Sequence, residues 1–350
     1  MKVRIDGVQI SSISTCLPNK VVHCNQFSEL YGEQEVQRTI KNTGIKQFRA
    51  VENGVCTSDL CAKAAEVIFE KGNINPASID GIVFVSQTPD YIMPATSVVL
   101  QYRLGLRNTT VAFDINHGCS GYVYGLYQAA LLISSGGCSR ILLLVGDTST
   151  RIVHPQDKST NMLFGDAGSA TLVEKGKENI YFNLKTDGSG FKHLIISAGG
   201  FRHPQDAETV IEQQDENGNL RTQHHLYMNG MEIMNFAMRE VPPMINELLA
   251  QCSWNKEDVG VFALHQANQF VVEYLAKKIK LPRTSVPISL AYTGNTCSAS
   301  IPLLFSLEGN KLKNDGRLNR AILCGFGIGL SWAAAATSLV STQFFEPVDL

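Results

Sequence analysis

The stretch Ile115-Asn116-His117-Gly118-Cys119-Ser120-Gly121-Tyr122 is followed by Val123 to Ser135, apolar nearly all round, and then by Ile141-Leu142-Leu143-Leu144-Val145. Glycines close to Cys119 on both sides let the chain turn sharply. The apolar stretch predicts a buried helix, and the short run after it a buried strand. Upstream, Asn75-Pro76-Ala77-Ser78-Ile79-Asp80 leads into a further strand-like run, Gly81-Ile82-Val83-Phe84-Val85-Ser86. The second half echoes this order. Asn255-Lys256-Glu257-Asp258-Val259 leads into Gly260-Val261-Phe262-Ala263-Leu264, and Gly294-Asn295-Thr296-Cys297-Ser298 makes the turn. A helix-like stretch then reaches about Leu307, and Ala321-Ile322-Leu323-Cys324 predicts a strand. Buried strands on both sides of a helix favour a parallel or mixed sheet with right-handed crossovers. Two such units predict an α/β protein of two pseudo-twofold halves, residues 1–178 and 179–350. That symmetry sets the turn of Cys119 opposite the turn of Asn295. His265 falls at the end of a central strand, where α/β folds place their chemistry.

The bulk composition agrees. A chain of 350 residues with 44% hydrophobic and 18% charged residues can bury a large core. A net charge of -2 leaves no electrostatic footprint for nucleic acid as main partner. No apolar run approaches the roughly 18 residues a membrane span needs. The start, Met1 to Ile10, alternates like a strand and lacks the apolar core of a signal peptide, so a cytoplasmic protein is expected. The nine cysteines show no CxxC pair and no zinc-like spacing, and no metal site is expected. Most of them read as small buried hydrophobes in a reducing compartment. The polar stretch Ser197 to His225 interrupts the second half and reads as a long excursion or hairpin, either a solvated loop or a lid.

Three residues at predicted strand-to-helix junctions carry the chemistry. Cys119 precedes a helix whose positive end favours thiolate, as a nucleophile needs. His265 ends an apolar strand and Asn295 sits in a Gly-Asn turn. Each alone also fits a packed structural residue. Together they supply a thiol and two donors with no carboxylate, which suits stabilising a negative oxygen such as a thioester enolate. The glycines of Cys324-Gly325-Phe326-Gly327-Ile328-Gly329-Leu330 let backbone approach a ligand closely. His117 reads as a packed turn residue, and His224-His225 as no more than an adventitious metal contact.

The motifs lie in order along nearly the whole chain: Thr43-Gly44-Ile45, Ile92-Met93-Pro94, the Cys119 turn, Leu163 to Gly168, His265 to Asn268, Gly294 to Thr296, and Gly325 to Trp332. This pattern resembles the β-ketoacyl-acyl-carrier-protein synthase III family. The resemblance implies a thiolase-like fold, with two pseudo-twofold-related halves in a five-layered α-β-α-β-α sandwich, and a decarboxylative condensing acyltransferase. Carried over by position, Cys119 takes an acyl group from a thioester, and the N–H groups of Cys119 and Ile328 form the oxyanion hole. His265 and Asn295 hold the malonyl-carrier thioester as it loses CO2, and Asn268 orients the region around His265. Ping-pong kinetics follow from the shared cysteine. No cofactor is held permanently; coenzyme A or phosphopantetheine thioesters are substrates. Acyl-carrier protein is the partner, and a homodimer is implied, with the Met93 loop reaching the neighbouring acyl pocket.

The chain departs from the family pattern near the donor site. Arg38 stands where housekeeping members often carry a tryptophan against the coenzyme A adenine, and Lys158 where they carry an arginine. Phe270 replaces a carrier-docking arginine, and Ile328 a glycine. The excursion is longer than usual. These departures point to a specialised relative that takes acyl groups from a carrier protein. Lys277, Lys278, Lys280 and Arg283 are the candidate docking patch for an acidic carrier. Within the family the alternative is acyl transfer to a non-malonyl oxygen, nitrogen or carbon nucleophile. A thiolase would use a second cysteine near Cys324. Outside the family stand a cysteine hydrolase, which shares the Cys, His, Asn order, and a non-catalytic thiolase-fold partner.

Overall fold

The computed structural model describes residues 1–350. The main-sheet strands are β1 (Lys2–Leu17), β2 (Gly81–Val85), β3 (Val111–Ile115), β4 (Arg140–Asp147), β5 (Ala167–Thr186), β6 (Val261–Leu264), β7 (Ala321–Gly327) and β8 (Ser331–Thr337). The principal helices are α1 (Thr57–Lys71), α2 (Thr96–Arg103), α3 (Gly121–Ser134), α4 (Gly230–Cys252), α5 (Gln269–Ile279) and α6 (Ser300–Asn314). The strands run in the order β6-β7-β8-β5-β4-β2-β3, with β1 also paired along β5. Strands β3, β2 and β4 are parallel, as are β6 and β7. Both β5 and β8 are antiparallel to their neighbours.

Alternation along the strands builds five layers. Val83, Val85, Leu143 and Val145 face a central cluster with Leu126 and Ala130 of α3 and Leu304 and Phe305 of α6. Their neighbours Ile82, Phe84, Leu142 and Leu144 face the opposite way, onto Leu60 and Ile68 of α1. In the other half Ala263 and Leu323 join the central cluster, while Phe262, Leu264 and Ile322 pack on α4 and α5. Period-two side chains buried on both faces require a helical layer on each side. Each fully buried leucine or phenylalanine of the central layer contributes roughly 1.5–3 kcal/mol by leaving water.

The echo in the sequence is an echo in space. Asn75 and Asn255 each cap a short 3-10 turn leading into β2 and β6. The turns holding Cys119 and Asn295 lead into α3 and α6. Helix α6 runs to Asn314, beyond the expected end near Leu307, because it turns polar and leaves the core while Leu312 stays buried. Strand β5 hands the chain from one half to the other. Its first part, Ala167 to Glu174, pairs with β4, and its last part, Tyr181 to Thr186, pairs with β8.

The excursion is a hairpin, with Gln213–Gln214 paired to Leu220–Arg221. It is tied down by Arg221, whose guanidinium reaches the fully buried Asp157 at 3.0 Å and Asp215 at 2.5 Å. No helix is long and apolar enough to cross a membrane.

Candidate active site

Cys119, His265 and Asn295 line one cavity of about 90 Å³, together with Asn268, Phe326 and Gly327. Cys119 arrives from the turn after β3, His265 from the residue after β6, and Asn295 from the turn before α6. All three are buried, with exposures of 7%, 1% and 4%. The positions joined by inference from the sequence are therefore joined in space.

Glycines set the approach of β7 to the Cys119 turn. A Cβ on Gly327 would lie 2.7 Å from the Cys119 sulfur, and one on Gly325 would lie 2.6 Å from the Cys119 carbonyl oxygen. The glycine-rich run thus lets the strand press against the turn itself and brings Ile328, whose N–H favours the thiolate, beside Cys119. Ile328 also lines a smaller second cavity on the far side of the sulfur, with Gln87, Asp147 and Cys297. The isoleucine keeps the backbone donor and adds bulk to that wall.

Two hydrogen bonds orient the donors. The Asn295 Oδ1 accepts the Cys297 N–H at 3.0 Å, so its Nδ2 faces the cavity free to donate. The His265 Nδ1 lies 2.7 Å from the Ser300 hydroxyl. That hydroxyl accepts the Gln266 N–H at 3.4 Å and keeps its own proton available to donate to Nδ1. In the tautomer in which Ser300 donates to Nδ1 the ring proton sits on Nε2, and the site presents two N–H donors beside one sulfur. Ser300, buried and four residues beyond Thr296, was not legible as a partner of His265, because only the fold brings α6 against the end of β6.

The Cys119 thiol is held well below the ordinary cysteine value, most by a hydrogen bond from Cys297 and then by His265 and the Ile328 N–H, against the opposing effect of burial. The two sulfurs are 3.9 Å apart. Sequence reasoning passed over Cys297 as a neighbour of Cys119. The signal was present: Cys119-Ser120 and Cys297-Ser298 are the same dipeptide in the two pseudo-equivalent turns. Cys324, the residue a thiolase reading singles out, points instead into the outer cluster with Phe262 and Leu264, where burial pushes its thiol up.

Of the remaining candidates, Asn268 shares the main cavity, and Arg38 and Lys158 lie away from it. Asn268 lines the main cavity while its side chain accepts the Val271 N–H at 2.8 Å, capping α5. Arg38, on the helix Glu33–Thr43, and Lys158 line a separate polar depression with Asn42 and with Asn217 and Asn219 from the excursion hairpin. That depression has no aromatic or apolar wall, and the Arg38 guanidinium is paired with Glu35 at 2.8 Å. His117 stacks on Tyr124 at 4.3 Å. No group of three or more His, Cys, Asp or Glu side chains is placed to hold a metal ion.

The Leu163-Phe164-Gly165-Asp166 motif braces this arrangement. The Asn295 N–H donates to the Leu163 carbonyl, and the Gly165 N–H donates to the Asn295 carbonyl. The buried Asp166 carboxylate accepts from the Val51 and Thr150 N–H groups and the Thr150 hydroxyl.

Known proteins share this frame and these motifs. The profile described as 3-oxoacyl-[acyl-carrier-protein (ACP)] synthase III matches residues 113–188, and its C-terminal counterpart matches residues 249–339. A β-ketoacyl-[acyl-carrier-protein] synthase III of Streptococcus agalactiae is 34% identical over 330 residues, covering 93% of this chain and 97% of its own. The chain belongs to the 3-oxoacyl-[acyl-carrier-protein] synthase III family. The crystal structure of a 3-oxoacyl-(acyl-carrier protein) synthase from Burkholderia xenovorans LB400 superposes with a TM-score of 0.92 at 37% identity, covering 100% of this chain and 99% of that one. The priming β-ketosynthase of the R1128 polyketide pathway superposes at 0.81 with 25% identity, covering 95% and 96%. The fold is thiolase-like, and as a member of the synthase III family the protein is a condensing acyltransferase.

Proposed function

We propose that Cys119 carries the acyl group and that His265 and Asn295 drive decarboxylation of a malonyl-carrier thioester. The observation that supports this most is the orientation of the two donors. With Asn295 Oδ1 and His265 Nδ1 both occupied by protein partners, Nδ2 and Nε2–H are left for the substrate. In the first half-reaction the thiolate attacks the donor thioester, the Cys119 and Ile328 N–H groups receive the oxyanion, and as it collapses the donor C–S bond breaks and the donor's thiol leaves. In the second, the malonyl thioester oxygen rests on His265 and Asn295 as CO2 leaves. The new carbanion attacks the acyl-cysteine and returns the thiolate. Residues 1–178 thereby supply the nucleophile and residues 179–350 the two donors. The test is incubation with a panel of acyl thioesters, followed by malonyl-carrier protein. A single acyl adduct on Cys119 and stoichiometric CO2 release are expected; acyl transfer without CO2 would favour a non-malonyl acceptor.

The donor reading follows from the depression around Arg38 and Lys158. Adenine is bound by stacking on an apolar face, and this depression offers none, so a carrier-bound acyl group fits better than a coenzyme A ester. The likeness to a polyketide priming ketosynthase is in keeping with a specialised pathway. The carrier's acidic surface would meet Lys277, Lys278, Lys280 and Arg283, all exposed. They lie at the far end of α5, whose first turn contributes Val271 to the cavity. Six residues of helix separate Val271 from Lys277, about 9 Å, within reach of a phosphopantetheine arm. Reversing Lys277 and Lys278 to Glu should weaken use of carrier-bound substrate about tenfold or more and leave small-thioester use nearly unchanged. Equal loss with both substrates would argue against docking there.

A homodimer through β3 is supported by an apolar, unpaired sheet edge. Val111 is 45% exposed, and Tyr91, Ile92, Met93 and Tyr102 nearby are 59–85% exposed. Such an edge calls for a covering surface. A cytoplasmic location suits nine free thiols, one of them the proposed nucleophile.

A further inference from the structure

Cys297 stands in a place that nothing above assigns. Its sulfur lies 3.9 Å from that of Cys119. Its backbone is in the left-handed region, at φ 48°, which a cysteine adopts only when its surroundings hold it there. The Asn295 Oδ1 supplies that hold by accepting the Cys297 N–H. A Cβ on Gly118 would meet the Cys297 sulfur at 3.2 Å, so the nucleophile turn closes directly over the second thiol.

The charges around the pair decide which sulfur keeps the proton. Facing Cys119 are the His265 ring, the Ile328 N–H and the N-terminal end of α3. Facing Cys297 is the buried Asp147 carboxylate at the end of β4. Neither cavity lining contains a lysine or arginine. Asp147 already accepts from the Gln87 N–H, the Ser86 hydroxyl, and the N–H and hydroxyl of Ser298. Its charge makes an anion on Cys297 unfavourable, and of the two acceptors the Cys297 S–H can turn to, Cys119 has the larger effect on it and Asp147 the smaller.

We propose that Cys297 is a positioning residue of the condensing site: its S–H donates to the Cys119 thiolate, holding the resting nucleophile charged and aimed along the cavity. When the acyl group is transferred, Cys119 becomes a thioester and that hydrogen bond is released; it returns with the thiolate when the product leaves. The inference rests on Cys119 being the nucleophile, as proposed above.

The experiment measures the pH dependence of Cys119 alkylation by iodoacetamide in the full-length protein, read by peptide mass. It needs no condensing turnover. Cys297→Ala and Cys297→Gly remove the donor, and glycine also relieves the left-handed backbone. Both should move the alkylation midpoint up by about one unit and slow alkylation at pH 7 about tenfold. Cys297→Ser restores an O–H donor and should stay within about threefold of the parent. In the Cys119→Ala protein, Cys297 should resist alkylation at pH 8. A midpoint unmoved in both the alanine and glycine variants overturns the proposal and leaves the nucleophile assignment standing. So does a serine variant as slow as alanine, which would mean packing and not donation. If Cys119 is not the cysteine modified in the parent, both readings fall.

Discussion

Cys119→Ala should abolish the acyl adduct and lower condensation by at least about 10³-fold, while the protein stays folded. The size follows from what the sulfur does. Without it the acyl group has no covalent station, and the reaction must pass from donor thioester to carbanion in one encounter that the cavity was not built to align. The side chain is small and the turn is set by its neighbours, with Gly325 and Gly327 packed on backbone and Cβ. Truncation to alanine removes one buried sulfur atom and costs only about 1 kcal/mol or so of stability. Intact mass after exposure to the acyl panel, a melting temperature, and product formation give three independent readings. Persisting turnover at more than a tenth of the parent rate would mean that another residue carries the acyl group, and Cys297 would be the first to examine.

His265→Ala and Asn295→Ala should separate the two half-reactions. Each removes one donor aimed at the malonyl thioester oxygen, and loss of one such donor typically costs about 10²–10³-fold in rate. CO2 release and product should fall by that amount in either variant. Acylation of Cys119 should survive in Asn295→Ala nearly intact. In His265→Ala it should slow as well, because the imidazole also faces the thiolate. The double variant should fall well short of the product of the single losses, since the donors share one oxygen. Loss of the adduct in Asn295→Ala with decarboxylation preserved would exchange the assigned roles.

Much of this was legible in the chain. The two glycine-flanked turns, the strand runs before them and the apolar stretches after them specify two similar α/β halves, and the family resemblance implies their five layers. The family motifs then fix the positions of Cys119, His265 and Asn295. What escaped the reading are contacts across the pseudo-twofold axis, where residues 178 positions apart, Cys119 and Cys297, become neighbours. Local pattern carries no record of such pairs. Asp147 escaped for the same reason: an aspartate at a strand end looks ordinary until the opposite half is in place, whereas Ser300 meets His265 within one half but only once α6 packs against the end of β6. The excursion also read only as polar chain, because its anchor, Arg221 on Asp157, joins it to a segment more than sixty residues earlier.

Strand β5 joins the two halves of the main sheet, and β1 pairs with it along thirteen residues, from Lys2 with Asn183 to Cys16 with Gly168. A ribbon of that kind acts as a beam. The two halves of the molecule cannot swing apart without tearing its ladder, so there is no clamshell motion to admit substrate. Whatever opens the way to the sulfur must be side chains such as Phe326 and the segments around Leu194 and Met228, moving against a frame that stays still.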